Sequence, residues 1–134
     1  DSLISNIRIP IYNIGENHYI STNEYINITN STSTLHLQKK KIELRFNQSH
    51  DIILSQNSSF IIIDNKIYHL FLPVLYENDD FYIPIHAFLH IAKSIAHPMG
   101  FIDTSEKYLM MYTEDFNINI SPFFAKKSYL LDLG

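Results

Sequence analysis

The sequence contains no cysteine and no tryptophan, and only three glycines and two arginines among 134 residues. Without cysteine there is no disulfide, no thiol nucleophile, no zinc finger and no iron–sulfur ligation. Gly15, Gly100 and Gly134 cannot compose a P-loop, a GxGxxG dinucleotide fingerprint or a GxSxG nucleophile elbow, so the motifs of nucleotide binding and of α/β-hydrolases are absent. Arg8 and Arg45, in a chain of formal charge −4, do not make the clustered basic surface that phosphate neutralisation needs, so nucleic acid is not an expected partner. The only basic run, Lys39-Lys40-Lys41, reads as a hairpin turn. Apolar runs are short, as in Phe60-Ile61-Ile62-Ile63, whereas a membrane span needs about 18 such residues. No membrane span is expected.

What is present is apolar and aromatic. With 46% hydrophobic, 13% aromatic and 18% charged residues, the chain can offset the entropy of ordering. A length of 134 residues fits one domain, which at this size buries roughly two thirds of its unfolded surface. A start at Asp1 without methionine suggests a trimmed N-terminus, and the expectation drawn from it is an extracytoplasmic chain, periplasmic or in the cell envelope, after removal of a signal peptide.

Residues 79–96 organise the rest. Tyr82 and Ile83 end a strand, Pro84 has the fixed φ favoured at a first helical position, and Ile85, Phe88, Leu89, Ala92 and Ile95 recur on one helical face. His86, His90, Lys93 and His97 form the polar face. Earlier, Ile7, Ile9 and Ile11 alternate as a strand that Pro10 assigns to an edge, and Ser21 with Glu24 three residues later is a capping box before a helix carrying Tyr25, Ile26 and Ile28. A hairpin follows, with Leu35 and Leu37 on one arm and Ile42, Leu44 and Phe46 on the other. Residues 51–56, 60–64 and 66–72 read as strands with Asp64-Asn65 as a tight turn, and the continuous apolar run of residues 60–63 suits a central strand covered on both faces. Residues 101–102 and 108–112 form another hairpin, and 114–134 are an edge strand or a linker toward a following domain.

Tyr19-Ile20 and Tyr82-Ile83 lie 63 residues apart (82 − 19), each followed by a helix start and then by an apolar hairpin with a lysine near its turn. An internal strand–helix–hairpin duplication is the expectation, and chance similarity in an Ile-rich and Tyr-rich chain is the alternative. The fold class expected is α+β, an antiparallel meander packed against two short helices.

The stretch HYISTNEYI, followed by KKIELRFNQSHDIILSQNSSFIIIDNKIYHLFLPVLYENDDFYIPIHAFLHIA, resembles the copper amine oxidase N-terminal-like domain over about residues 17–112. That family's Tyr-Val-Pro-Leu signature corresponds to Tyr82-Ile83-Pro84-Ile85, and the turn before it to Asp64-Asn65-Lys66. Turns that the family fills with glycine are Asn-rich here. The resemblance implies a domain over residues 1–113 of the kind attached to bacterial N-acetylmuramoyl-L-alanine amidases. It implies a non-catalytic accessory module, with peptidoglycan or a neighbouring catalytic domain as partner. It implies no cofactor, since copper and the quinone of the amine oxidases belong to a different domain.

Candidate chemistry in the residues themselves is sparse. His86 and His90, at i and i+4, could ligate zinc or copper through two imidazoles, but they lack the glutamate of HExxH and read more economically as solvated histidines. Asp79-Asp80 and Glu114-Asp115 read as solvated turn formers, and His50-Asp51 becomes part of a triad only by assumption. Tyr12, Tyr68, Tyr76, Tyr108 and Tyr112 sit on expected strands and could offer flat amphipathic surface to a glycan or protein, although strand aromatics usually pack in cores. Three functions are therefore carried forward: the accessory module, a structural stalk or dimerisation module, and a small metal-dependent enzyme using His86 or His90.

Overall fold

The computed structural model describes residues 3–28, 31–46, 50–95, 100–103 and 105–112, with side chains for all of these except 3–7, 46, 95, 100–101 and 111–112. In chain order the elements are β1 (Leu3–Pro10), β2 (Tyr12–Ile14), β3 (Asn17–Ser21), α1 (Thr22–Ile28), β4 (Thr32–His36), a 3₁₀ turn (Leu37–Lys39), β5 (Lys41–Phe46), β6 (His50–Ser55), β7 (Phe60–Ile63), β8 (Lys66–His69), β9 (Leu75–Glu77), β10 (Asp80–Pro84), α2 (Ile85–Ile95), β11 (Gly100–Ile102) and β12 (Tyr108–Tyr112). They form three sheets, ordered β1-β12-β11, β2-β3-β10-β9 and β4-β5-β6-β7-β8. The strand pairs in all three are antiparallel, so the fold is α+β with an antiparallel meander.

The four-stranded sheet is the centre. Hairpin β2–β3 pairs Tyr12 with Tyr19 and Ile14 with Asn17, and hairpin β9–β10 pairs Leu75 with Tyr82 and Glu77 with Asp80. Each residue of the second set lies 63 after its counterpart in the first (75 − 12, 82 − 19, 77 − 14, 80 − 17). Gly15 (φ 66°) and Asn78 (φ 54°) occupy the same left-handed turn position, which glycine enters freely and asparagine tolerates. The two hairpins join through β3 and β10, where Ile20 faces Ile83, both fully buried, and Tyr82 faces Ser21 as Pro84 faces Tyr19. This exchange of equivalents is an approximate two-fold axis through the Ile20–Ile83 pair. The helices obey it too: α1 and α2 begin 63 residues apart (85 − 22), and the equivalent rings of Tyr25 and Phe88 (88 − 25) meet edge to face at 5.9 Å. These are facts of geometry; an origin by duplication is a proposal.

The helix starts differ chemically. α1 is capped by Ser21, whose Oγ accepts the Glu24 N–H at 3.2 Å, as its sequence predicts. The other half of the expected capping box is absent, because the Glu24 carboxylate instead accepts the Tyr12 hydroxyl at 2.8 Å. Asp80, from the opposite hairpin, takes over: it accepts the Ser21 hydroxyl, the Thr22 hydroxyl at 2.9 Å and the Asn23 N–H at 3.1 Å. The expectation that Asp80 is a solvated turn former is corrected here, since it is 8% exposed and anchors α1. Asp79 does sit in the turn, accepting the Tyr76 hydroxyl at 3.2 Å. At the start of α2, Pro84 stands where Ser21 stands in the first half, as the last residue of β10 and not inside the helix. α2 buries Ile85, Phe88, Ile91 and Ala92, and Leu89 packs half-buried against the same core, so Ile91 joins the expected apolar face; the Ile95 side chain lies outside the described residues.

Burial raises the Glu24 pKa, with Asp80 adding in the same direction against the Tyr12 hydrogen bond; Glu24 Oε1 is itself buried without a hydrogen bond. A carboxyl raised in the fold stabilises most below its unfolded pKa, and that contribution fades as pH rises through the folded value. Glu24→Gln keeps an acceptor for Tyr12 and should therefore raise stability at pH 7 by under about 1 kcal/mol, the group being half-exposed. The gain should vanish in urea titrations run below the usual glutamate pKa.

In the five-stranded sheet Ile42, Leu44, Ile52, Leu54, Ile61 and Ile63 point to the core. The tight turn at Asp64 (φ 51°) and Asn65 (φ 68°) has both residues left-handed, the form that suits a two-residue hairpin. Two expectations are corrected. β7 lies between β6 and β8, but Phe60 is 48% exposed and Ile62 half-buried, so one of its faces is open, as antiparallel sheets allow. Leu35 and Leu37 are likewise exposed, because β4 is an edge strand and Leu37 begins the 3₁₀ turn. Pro10 lies on an edge strand as expected.

Candidate ligand groove

The register that sets Pro84 against Tyr19 brings the neighbouring His18 to the first turn of α2. There His18 Nδ1 and His86 Nε2 approach to 2.8 Å, with ring centroids 5.0 Å apart. The other ring nitrogen of His18, Nε2, faces the Glu106 carboxylate at 3.5 Å. His90 follows one helical turn after His86, and both are exposed. Opposite them the chain leaves β8 through His69, Leu70, Phe71 and Leu72. Between the two walls lies a groove of about 380 Å³, lined by four histidines, 18, 69, 86 and 90, and otherwise by apolar side chains such as Leu72, Pro84 and Ile91. Four of the chain's seven histidines meet here.

Phe71 stands at this groove with φ 70° and 76% exposure. A bulky side chain in the left-handed region is a conformational outlier, and an exposed phenyl gains little burial to offset it. The backbone is held there by the Phe71 N–H, which donates to His69 Nδ1 at 2.8 Å, and by stacking of the two rings at 4.4 Å and 20°. Phe60 adds a tilted ring contact on His69, at 4.6 Å and 51°. Phe71→Gly should consequently leave stability unchanged or raise it by up to about 1 kcal/mol, measured by urea unfolding, while removing the aromatic surface.

No family model, curated protein or solved structure matches the chain.

The sequence-predicted residues scatter. Tyr12 is 37% exposed, bonded to Glu24 and packed edge-on to Tyr82 at 5.5 Å; burial and that carboxylate raise its pKa well above the usual phenol range. Tyr76 packs on Phe81 at 4.7 Å beneath the Lys40 ammonium, Tyr108 lies under the Arg8 guanidinium at 4.6 Å, and Tyr68 is half-buried on β8. The Tyr112 side chain, His97, Glu114 and Asp115 lie outside the described residues. Tyr12, Tyr68, Tyr76 and Tyr108, the four with described side chains, do not line the groove. His50 and Asp51 make no triad: His50 bonds Asp64 at 2.7 Å and Asp51 pairs with Arg45 at 2.8 Å. Among the described residues no group of three or more His, Cys, Asp or Glu is arranged to hold a metal, and no helix is long and apolar enough to cross a membrane.

Sequence reasoning missed His18, His69 and Phe71. A signal for His18 was present: pairing the two Tyr-Ile strands antiparallel about their centres puts residue 18 beside the start of the second helix. Phe71 carried none, because a left-handed phenylalanine is visible only in the backbone.

Proposed function

We propose that this chain is a non-catalytic accessory module of a bacterial cell-envelope protein, which holds a peptidoglycan amidase against the cell wall and binds through the histidine groove. The envelope and amidase context rests on the sequence resemblance. The observation that carries the binding role is the His69–Phe71 stack at an apolar groove, with Phe71 kept exposed in a left-handed conformation. An aromatic surface retained at a conformational cost is characteristic of ligand clamps. His86 and His90 open to solvent weigh against general acid–base catalysis, which wants a carboxylate or imidazole in a water-poor cleft. The stalk reading draws on the open face of β7 and β8, where Ile67 is 69% exposed.

Sedimentation with purified peptidoglycan tests the proposal. The wild-type chain is expected in the pellet, and Phe71→Ala, which removes the ring, is expected in the supernatant with an unchanged unfolding curve. If wild type and variant both stay in solution, the wall-binding reading is wrong. A chain that instead runs as a dimer on multi-angle light scattering would favour the stalk.

A further inference from the structure

We infer that His18 and His86 form a two-imidazole anchor for a divalent first-row transition ion, zinc or copper, with His90 and water completing the shell. This goes beyond the wall-binding reading and does not rest on it.

Three observations carry it. The first is convergence: two ring nitrogens from different elements, β3 and α2, lie 2.8 Å apart. Two imidazoles on one tetrahedral zinc, at about 2.05 Å each, place their nitrogens about 3.3 Å apart, so the nitrogens have to separate by about half an ångström and the rings to turn until both lone pairs meet at one point. The second is the carboxylate behind His18. A ligating histidine almost always donates its other ring N–H to a carboxylate, carbonyl or water, which fixes the tautomer and makes the ligating nitrogen a better donor. Glu106 Oε1 faces His18 Nε2 at 3.5 Å, on the far side of the ring from His86. With the proton on Nε2, His18 Nδ1 presents its lone pair toward His86. The third is His90, which shares the helix and the groove with His86 at the i, i+4 spacing that lets two imidazoles reach one ion.

The three side chains are not yet a closed site. In the ion's absence, and with the His18 proton on Nε2, the His18–His86 contact is a hydrogen bond in which the His86 Nε2–H donates to His18 Nδ1. Binding an ion there requires the His86 proton to sit on Nδ1 instead, a tautomer change with no net proton released, and a rotamer change that swings His90 in. Exposed side chains change rotamer in picoseconds to nanoseconds, so the movement is no barrier. Imidazole suits zinc and copper, whereas magnesium and calcium prefer oxygen ligands, which predicts the selectivity.

The test is a zinc titration of the wild-type chain followed by isothermal calorimetry and by two-bond ¹H–¹⁵N spectra of the histidine rings. One ion per chain is expected, with ¹⁵N shifts at His18 Nδ1, His86 Nε2 and one ring nitrogen of His90, and none at His36 or His50, whose rings pair with Glu43 and Asp64. Magnesium should give no shift. His86→Gln is expected to weaken zinc at least tenfold, and Glu106→Gln, an exposed change that leaves the fold alone, by about tenfold. No binding up to millimolar zinc overturns the inference. So does binding that survives His18→Gln plus His86→Gln unchanged, or shifts centred on His36 or His50.

Discussion

Phe88→Ala is expected to destabilise the domain by about 4 kcal/mol, the largest effect of any single substitution considered. Phe88 is 1% exposed, at the core-facing side of α2, and its ring meets the fully buried Tyr25 edge to face at 5.9 Å. Truncation removes the transfer free energy of a whole phenyl and leaves a cavity under a helix that cannot collapse, because β10 feeds directly into it. The aromatic contact itself should appear as a coupling of about 1 kcal/mol in a Tyr25→Leu, Phe88→Leu double-mutant cycle. Urea unfolding by far-UV circular dichroism measures both. Additive costs would mean that the two equivalent rings are independent core fillers and do not clasp the halves.

Asp80→Ala should cost about 3 kcal/mol by a different route. The carboxylate is 8% exposed and accepts three hydrogen bonds at the start of α1, from the Ser21 and Thr22 hydroxyls and the Asn23 N–H. Hydrogen bonds to a buried charge stabilise by more than neutral ones, and alanine leaves all three donors without their partner. Asp80→Asn retains an acceptor and rotatable hydroxyls can adapt to it, so roughly half the loss is expected. α1 has only seven residues and no intrinsic stability at that length, so its amides should exchange fastest in the Asp80→Ala chain. Equal protection of α1 and α2 in hydrogen exchange would contradict the anchoring role.

The two halves have similar backbones and different side-chain chemistry at their helix starts. Where the first has Ser21 and receives Asp80, the second has Pro84, and near its helix start stand His18 and His86 instead. One helix start is a buried cap and the other an open groove.

Period-two runs, the Asp64-Asn65 turn, the Ser21 cap and the apolar face of α2 were legible because each follows from neighbours a few residues apart. The spacing of 63 was legible too, and it forecast which strands could be equivalent. What the spacing did not say is that equivalent strands pair with each other, and that pairing creates both the Asp80 anchor and the His18–His86 contact, at separations of 58 and 68 residues. The open face of β7 escaped for a related reason: four consecutive apolar residues look the same whether one side or both are covered, and only the packing decides. His86 and His90 were recognisable as a pair, but the histidine that meets them comes from the other half of the chain.

The central claim is that the groove of His18, His69, Phe71, His86 and His90 is the binding face of the domain. Its most direct test is a titration of ¹⁵N-labelled chain with solubilised peptidoglycan fragments, followed by backbone amide shifts. Saturable shifts at residues 18, 69–72 and 84–91, abolished by Phe71→Ala, are the expected result. Shifts confined to the opposite sheet edge around β4, or none at any fragment concentration, would contradict it.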